Sequence, residues 1–111
     1  METHAKVVVI GGGVVGCSIL FHLAKFGLKD CILLERNELT SGSSWHAAGS
    51  VHAISSDPNI SKLMAYTIKL YKEIEETSGH SVGFKPSGGF YLASNEVWHD
   101  YLKRERSKAR Y

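Results

Sequence analysis

The run Gly11-Gly12-Gly13-Val14-Val15-Gly16 constrains this chain more than any other stretch. It stands between "HAKVVVI", His4 to Ile10, and the segment from Val14 to Phe26. The first is short, β-branched and continuously apolar, the pattern of a strand buried on both faces. In the second, Val15, Ile19, Leu20, Leu23 and Phe26 fall at helical spacing, and Gly27 is suited to close the helix in the left-handed conformation. "DCILLE", Asp30 to Glu35, repeats the pattern of a buried strand. Strand, glycine turn, helix and strand thus fit into about thirty residues, the size of one βαβ unit. Gly11, Gly13 and Gly16 form G-x-G-x-x-G at the strand-to-helix turn. The first permits the tight turn, the second lets backbone approach a pyrophosphate, and the third allows close helix–strand packing. Val14 and Val15 open the helix, whose N-terminus offers partial positive charge and unpaired N–H groups. Glu35 follows roughly twenty residues later, where an acid accepts hydrogen bonds from a ribose hydroxyl pair and repels a 2′-phosphate. Together these features predict an adenine-dinucleotide site.

Composition excludes several other classes. At 111 residues the chain is at most one small domain. Its net charge of +2 is too small to argue for a nucleic-acid or acidic-membrane partner. Most of the positive excess lies in "LKRERSKARY", Leu102 to Tyr111, read as a solvated helix face. Cys17 and Cys31 have no metal-ligand spacing and read as core thiols of a reducing compartment. His46 and His52 lack further ligands at usable spacing, so no metal is expected. "METHAK" and the uncharged run Val7 to Phe21, with "VVGC" at Val14 to Cys17, invite a signal-peptide or lipoprotein reading. Glycines interrupt the apolar run, it is too short to span a bilayer, and an amphipathic helix follows the cysteine instead of a polar linker. The expectation is no membrane association. With no transit peptide visible ahead of the first strand, the cytoplasm is favoured, or the mitochondrial matrix in a eukaryotic host.

From Arg36 to Asp57 the sequence is rich in Ser, Gly, Ala and His, a long loop for one without a function. Asp57 and Pro58 suit the N-cap and first position of a new helix. Its apolar face runs through Ile60, Leu63, Met64, Thr67, Ile68, Tyr71 and Ile74, and it ends at Ser78-Gly79. Val82 to Ser94 reads as a turn and a strand through Phe90, Tyr91 and Leu92. Asn95 caps a last helix expected to run on to Tyr111. The division expected is residues 1–82 for nucleotide binding and 83–111 for the beginning of a second domain.

The loop "LTSGSSWHAAGS", Leu39 to Ser50, carries the more specific signal. "GGGVVGCSILFHLAKFGLKDCILLER", "LTSGSSWHAAG", "KLYKEIEETSG" and "GFKPSGGFYLAS" together resemble the N-terminal layout of the D-amino-acid-oxidase-like flavoproteins. More narrowly, they resemble the dimethylglycine and sarcosine dehydrogenases. The resemblance implies an α/β fold: an incomplete Rossmann-like FAD-binding βαβ opening with the start of a substrate domain.

It also implies that FAD is the dinucleotide, and that His46, in the W-H-x-A-G motif, is bonded to the flavin. Such a bond needs a neutral imidazole nitrogen. Ser43, Ser44, Ala47, Ala48 and Gly49 then give clearance beside the cofactor and backbone N–H groups for its phosphates. Arg36 joins Glu35 as the "ER" pair at the cofactor, and Trp45 covers the adenine or the ring edge. The other histidines read as solvated or hydrogen-bonded, with His52 the sole substitute for His46.

The reaction implied is oxidative demethylation of a small N-methylated amino acid by hydride transfer to FAD. Tetrahydrofolate and an electron-acceptor flavoprotein are possible further partners of the full-length protein. Because the family's members are several times longer, the remainder of its own chain is the first partner expected, and the isolated segment is expected to be inactive. Catalytic and substrate-binding residues stay unassigned. The alternatives are a non-covalent amino-acid oxidase of the glycine-oxidase type, a regulatory flavoprotein, an NAD-dependent dehydrogenase, and a decayed fragment serving as an interaction module.

Overall fold

The structure, a computed structural model, describes residues 4–109. Its elements are β1 (Val7–Ile10), α1 (Val14–Lys25), β2 (Cys31–Leu34), a 3-10 turn (Ser43–His46), α2 (Pro58–Ser78) and α3 (Glu96–Lys108). The chain divides into two compact units, Met1–Gly49 and Ser50–Tyr111.

In the first unit β1 and β2 pair in parallel, Val7 opposite Cys31 through Ile10 opposite Leu34. The ladder continues past both ends: Lys6 and Val7 N–H donate to the Asp30 carbonyl, and Gly11 N–H to that of Leu34 at 2.8 Å. Helix α1 makes the crossover that a parallel pair requires. It stops as the sequence predicts, with Gly27 left-handed at φ +88°. Leu28 N–H donates to Leu23 and Gly27 N–H to Ala24, the paired bonds of a Schellman ending. Both strands are shorter than their apolar runs: β1 begins at Val7, not His4, and β2 spans Cys31–Leu34, not Asp30 to Glu35.

The expectation of burial on both faces is not met within the described residues. Val9 is 8% exposed, whereas Val8 is 49%, Ile10 84% and Leu34 53% exposed. A two-stranded sheet with one helix covers one face only. The apolar pattern encodes more cover than these residues supply.

In the second unit α2 has strong ends. The Asp57 carboxylate accepts from Asn59 N–H at 2.7 Å and Ile60 N–H at 3.0 Å, a cap of the kind that contributes about 1 kcal/mol. Gly79, at φ 69°, closes the helix with its N–H on the Glu75 carbonyl. The Glu75 carboxylate holds the next turn by accepting from Ser81 Oγ and Val82 N–H. The Tyr71 and Phe84 rings lie 6.3 Å apart, and Leu70 is the buried hydrophobic residue among the described residues of this unit.

The strand expected at Phe90-Tyr91-Leu92 does not form. Those side chains are 96%, 74% and 91% exposed, and a strand needs a partner ladder that the described residues do not offer. Asn95 caps α3 through Trp98 N–H, as its sequence indicates. The helix is described as far as Lys108, with Ala109 as its cap; the expected continuation to Tyr111 falls on residues 110 and 111, which lie outside the described set. Within α3, Lys103 pairs with Asp100 and Lys108 with Glu105.

Among the described residues no helix is long and apolar enough to cross a membrane. None of their His, Cys, Asp and Glu side chains form a group of three or more able to hold a metal ion. Cys17 and Cys31 are unbridged and half-buried.

Candidate functional site

The site is assembled from the turn after β1, the first turn of α1, and the loop after β2. Gly11 sits at φ +104°, a conformation that L side chains rarely adopt. Gly16 is buried, and a Cβ there would overlap the Gly11 carbonyl oxygen while lying 3.5 Å from Val9 Cγ1. Its lack of a side chain therefore sets how closely α1 lies on β1. Gly13 is the N-cap of α1 and has no side chain with which to cap the helix. That task falls to Ser44, whose Oγ accepts from Val14 N–H at 2.8 Å. The first turn of α1 contains no acidic residue, so its positive end is not neutralised by the helix itself.

Glu35 lies just past β2 and is half-buried. One carboxylate oxygen accepts from Gly12 N–H at 2.7 Å and the other from Asn37 N–H at 2.9 Å. The Gly12 N–H, then that of Asn37, hold its pKa below the ordinary 4.5, against a partial desolvation that raises it. An ionised carboxylate has about four acceptor positions, so roughly two remain for a ribose diol.

A group whose folded pKa is depressed stabilises the fold above its unfolded pKa and loses that contribution as pH falls through the folded value. Protection of the Gly12 amide from exchange is therefore expected to fall as pH drops below about 4.5. Glu35→Gln should flatten that pH dependence and weaken adenine-dinucleotide binding several-fold at neutral pH, measured by amide exchange and by titration. An unchanged pH profile in the variant would remove Glu35 from this role.

Around the glycine turn lies an open cleft of about 430 Å³. Gly11, Gly13, Val14, Val15 and Gly16 line it from the turn and α1, Ser43 and Ser44 from the 3-10 turn. Val9, Ile10 and Ile19 form its apolar wall. These seven sequence-selected residues are brought together. Glu35 adjoins the turn through Gly12, and Arg36 follows it on the surface. Ala47, extended, and Gly49, left-handed at φ 71°, carry the chain away, and Ala48 is exposed between them. His46 ends the 3-10 turn, exposed, with its ring 4.0 Å from that of Trp45 at 35°. It stands two residues beyond Ser44 but does not line the cleft.

Three contributors were not selected from the sequence. Gly12 is buried, and a Cβ there would come within 2.6 Å of Leu39 Cδ2 and 3.0 Å of Glu35 Cβ. It occupies a free position of G-x-G-x-x-G, and the signal for it is that it is the middle of three consecutive glycines. Leu39 packs over it, so the apolar residue that opens the loop closes on the turn. Thr40 takes φ 64°, strained for a β-branched residue, and its N–H donates to the Gly12 carbonyl at 2.9 Å. Nothing in the sequence marks that strain.

The residues present fit a dinucleotide. A glycine cradle faces a helix end that no acidic side chain neutralises and that only Ser44 Oγ caps, and a Cβ on Gly13 would stand 3.2 Å from that Oγ, in the narrow space a phosphate would approach.

The chain is 45% identical over 107 residues to human mitochondrial dimethylglycine dehydrogenase, covering 96% of this chain and 12% of that protein. It is 44% identical over 105 residues to human mitochondrial sarcosine dehydrogenase, covering 94% of this chain and 11% of that one. The chain thus spans about an eighth of the length of these relatives. Among solved structures it resembles glycine oxidase from Bacillus cereus, with a TM-score of 0.71, 26% identity, and coverage of 94% of this chain and 30% of that one. The family model described as FAD dependent oxidoreductase matches residues 6–111, and the chain belongs to that family.

Proposed function

We propose that this chain forms the FAD-binding opening of a longer dehydrogenase that oxidatively demethylates a small N-methylated amino acid such as dimethylglycine or sarcosine. The observation that carries this reading is the Ser44–Val14 bond, which seats the Trp-His turn on the helix end expected to bind phosphate. The similarity to dimethylglycine dehydrogenase over nearly the whole chain supports the substrate class.

The roles of the chain's own residues follow. The N–H groups at the start of α1 bind the pyrophosphate, and Glu35 takes the ribose hydroxyls while bracing Gly12. Gly16 keeps α1 close to β1, so those N–H groups converge on one point. His46 holds the cofactor covalently, since an unprotonated imidazole nitrogen has the lone pair such a bond requires. FAD supplies the two-electron acceptor for a hydride from the N-methyl carbon.

The groups that bind the amine carboxylate and move its proton are assigned to the remainder of the enzyme's chain, and the segment alone is inactive. An electron-acceptor flavoprotein and tetrahydrofolate are further proposed partners. The mitochondrial dehydrogenases it resembles favour a mitochondrial location.

The likeness to glycine oxidase favours a second reading, an amino-acid oxidase with dissociable FAD. A denaturing gel of the full-length protein viewed under ultraviolet light separates the two. A fluorescent protein band is expected. A dark band, with FAD recovered in the supernatant after acid precipitation, would leave the non-covalent oxidase.

A further inference from the structure

We infer that Ser44 is the positioning residue that couples anion binding at the start of α1 to the placement of His46; this rests on the FAD-binding reading of the site. A hydroxyl is both acceptor and donor. The acceptor side of Ser44 Oγ is engaged by Val14 N–H at 2.8 Å, replacing the capping side chain that Gly13 lacks. Its proton is left to donate into the cleft that Ser43 and Ser44 line. A phosphate oxygen in that cleft meets a donor already aimed by the helix it binds.

The backbone of the same residue fixes the turn: Ser44 carbonyl oxygen accepts from Ala47 N–H at 3.3 Å, enclosing Trp45 and His46. The 3-10 turn is therefore fastened at its Ser44 end to α1 and at its other end to Ser44 itself. Upstream, Thr40 N–H on the Gly12 carbonyl holds the same loop to the glycine turn in a strained conformation. An anion that draws on the Ser44 proton consequently tightens the turn that presents His46.

The test is amide hydrogen exchange on the full-length apoprotein, made under riboflavin limitation so that the dinucleotide site is free, with ADP as the probe, comparing wild type, Ser44→Ala, Ser44→Thr and Ser41→Ala. Without ligand, Ser44→Ala is expected to raise exchange at Val14 and Ala47 about tenfold, the effect of one lost cap. Ser44→Thr, which keeps both hydroxyl functions, should restore the wild-type rates, and Ser41→Ala should match wild type. Saturating ADP should slow exchange at Ala47 in wild type and in Ser44→Thr but not in Ser44→Ala. A purely structural cap would not reproduce that ligand response.

Unchanged Val14 and Ala47 exchange in unliganded Ser44→Ala overturns the inference. So does equal ADP protection of Ala47 in wild type and Ser44→Ala. Failure of ADP to protect any wild-type residue would instead count against the dinucleotide reading, while the ligand-free comparison still decides whether Ser44 seats the turn. Survival of both results, with no flavin found on His46 in the flavin-replete protein, would overturn only the tether.

Discussion

Gly16→Ala is expected to remove FAD binding and lower the stability of the full-length protein by about 3 kcal/mol or more, near the upper end for overpacking. The added Cβ falls on the Gly11 carbonyl oxygen, which is backbone and cannot rotate away. Gly11 is itself fixed by its N–H bond to Leu34 at 2.8 Å and by its φ of +104°. Relief must therefore come from lifting α1 off β1. That movement exposes Val9, the buried hydrophobic side chain among the described residues of the first unit, and turns the N–H groups of α1 away from a common point.

Gly13→Ala makes the contrast. Its Cβ would meet only Ser44 Oγ, at 3.2 Å, and a serine side chain can yield. It should cost less than about 1 kcal/mol of stability, typical of a surface change, while weakening FAD. Gly13→Val should abolish binding of the dinucleotide altogether. Chemical denaturation together with FAD titration separates the two glycines. Equal losses of stability for Gly16→Ala and Gly13→Ala would mean that the helix–strand approach is not what Gly16 protects.

The legible part of this fold is the part whose physics is local. The ends of α1 and α2 follow from Gly27, Asp57, Pro58 and Gly79, because caps and left-handed glycines act on neighbouring residues. The crossover between β1 and β2 follows from the length and period of the apolar runs. Strand burial is less than the sequence pattern predicts because a continuous apolar run records every surface that will cover it, whereas Val8, Ile10 and Leu34 have no such cover within the described residues. The same holds for Phe90, Tyr91 and Leu92, whose β pattern requires a ladder from elsewhere.

At the site, spacing alone identifies Gly11, Gly13, Gly16 and Glu35. The bonds from Val14 to Ser44 and from Thr40 to Gly12 join positions distant in sequence, and no periodicity encodes them. The role of His46 comes only from resemblance: in the structure it is an exposed imidazole beside Trp45, like many surface histidines.

His46→Ala in the full-length protein is the second large effect: covalently retained flavin is expected to fall from stoichiometric to none. Noncovalent FAD should persist, because the roles proposed for Gly11, Gly13, Gly16, Val14 and Glu35 lie at the adenosine and pyrophosphate end and do not depend on the imidazole. The variant should therefore purify with FAD that is lost on acid precipitation or extensive dialysis. Its flavin should be a weaker oxidant than the linked form, since linkage is one of the ways a protein tunes cofactor electronics. His52→Ala is the control: the histidine on the same loop should be dispensable for the linkage. Covalent flavin retained in His46→Ala but lost in His52→Ala would move the tether six residues along the loop and leave the Trp45–His46 pair as packing. Retention in both variants would place the linkage outside this segment and reduce its task to noncovalent dinucleotide binding.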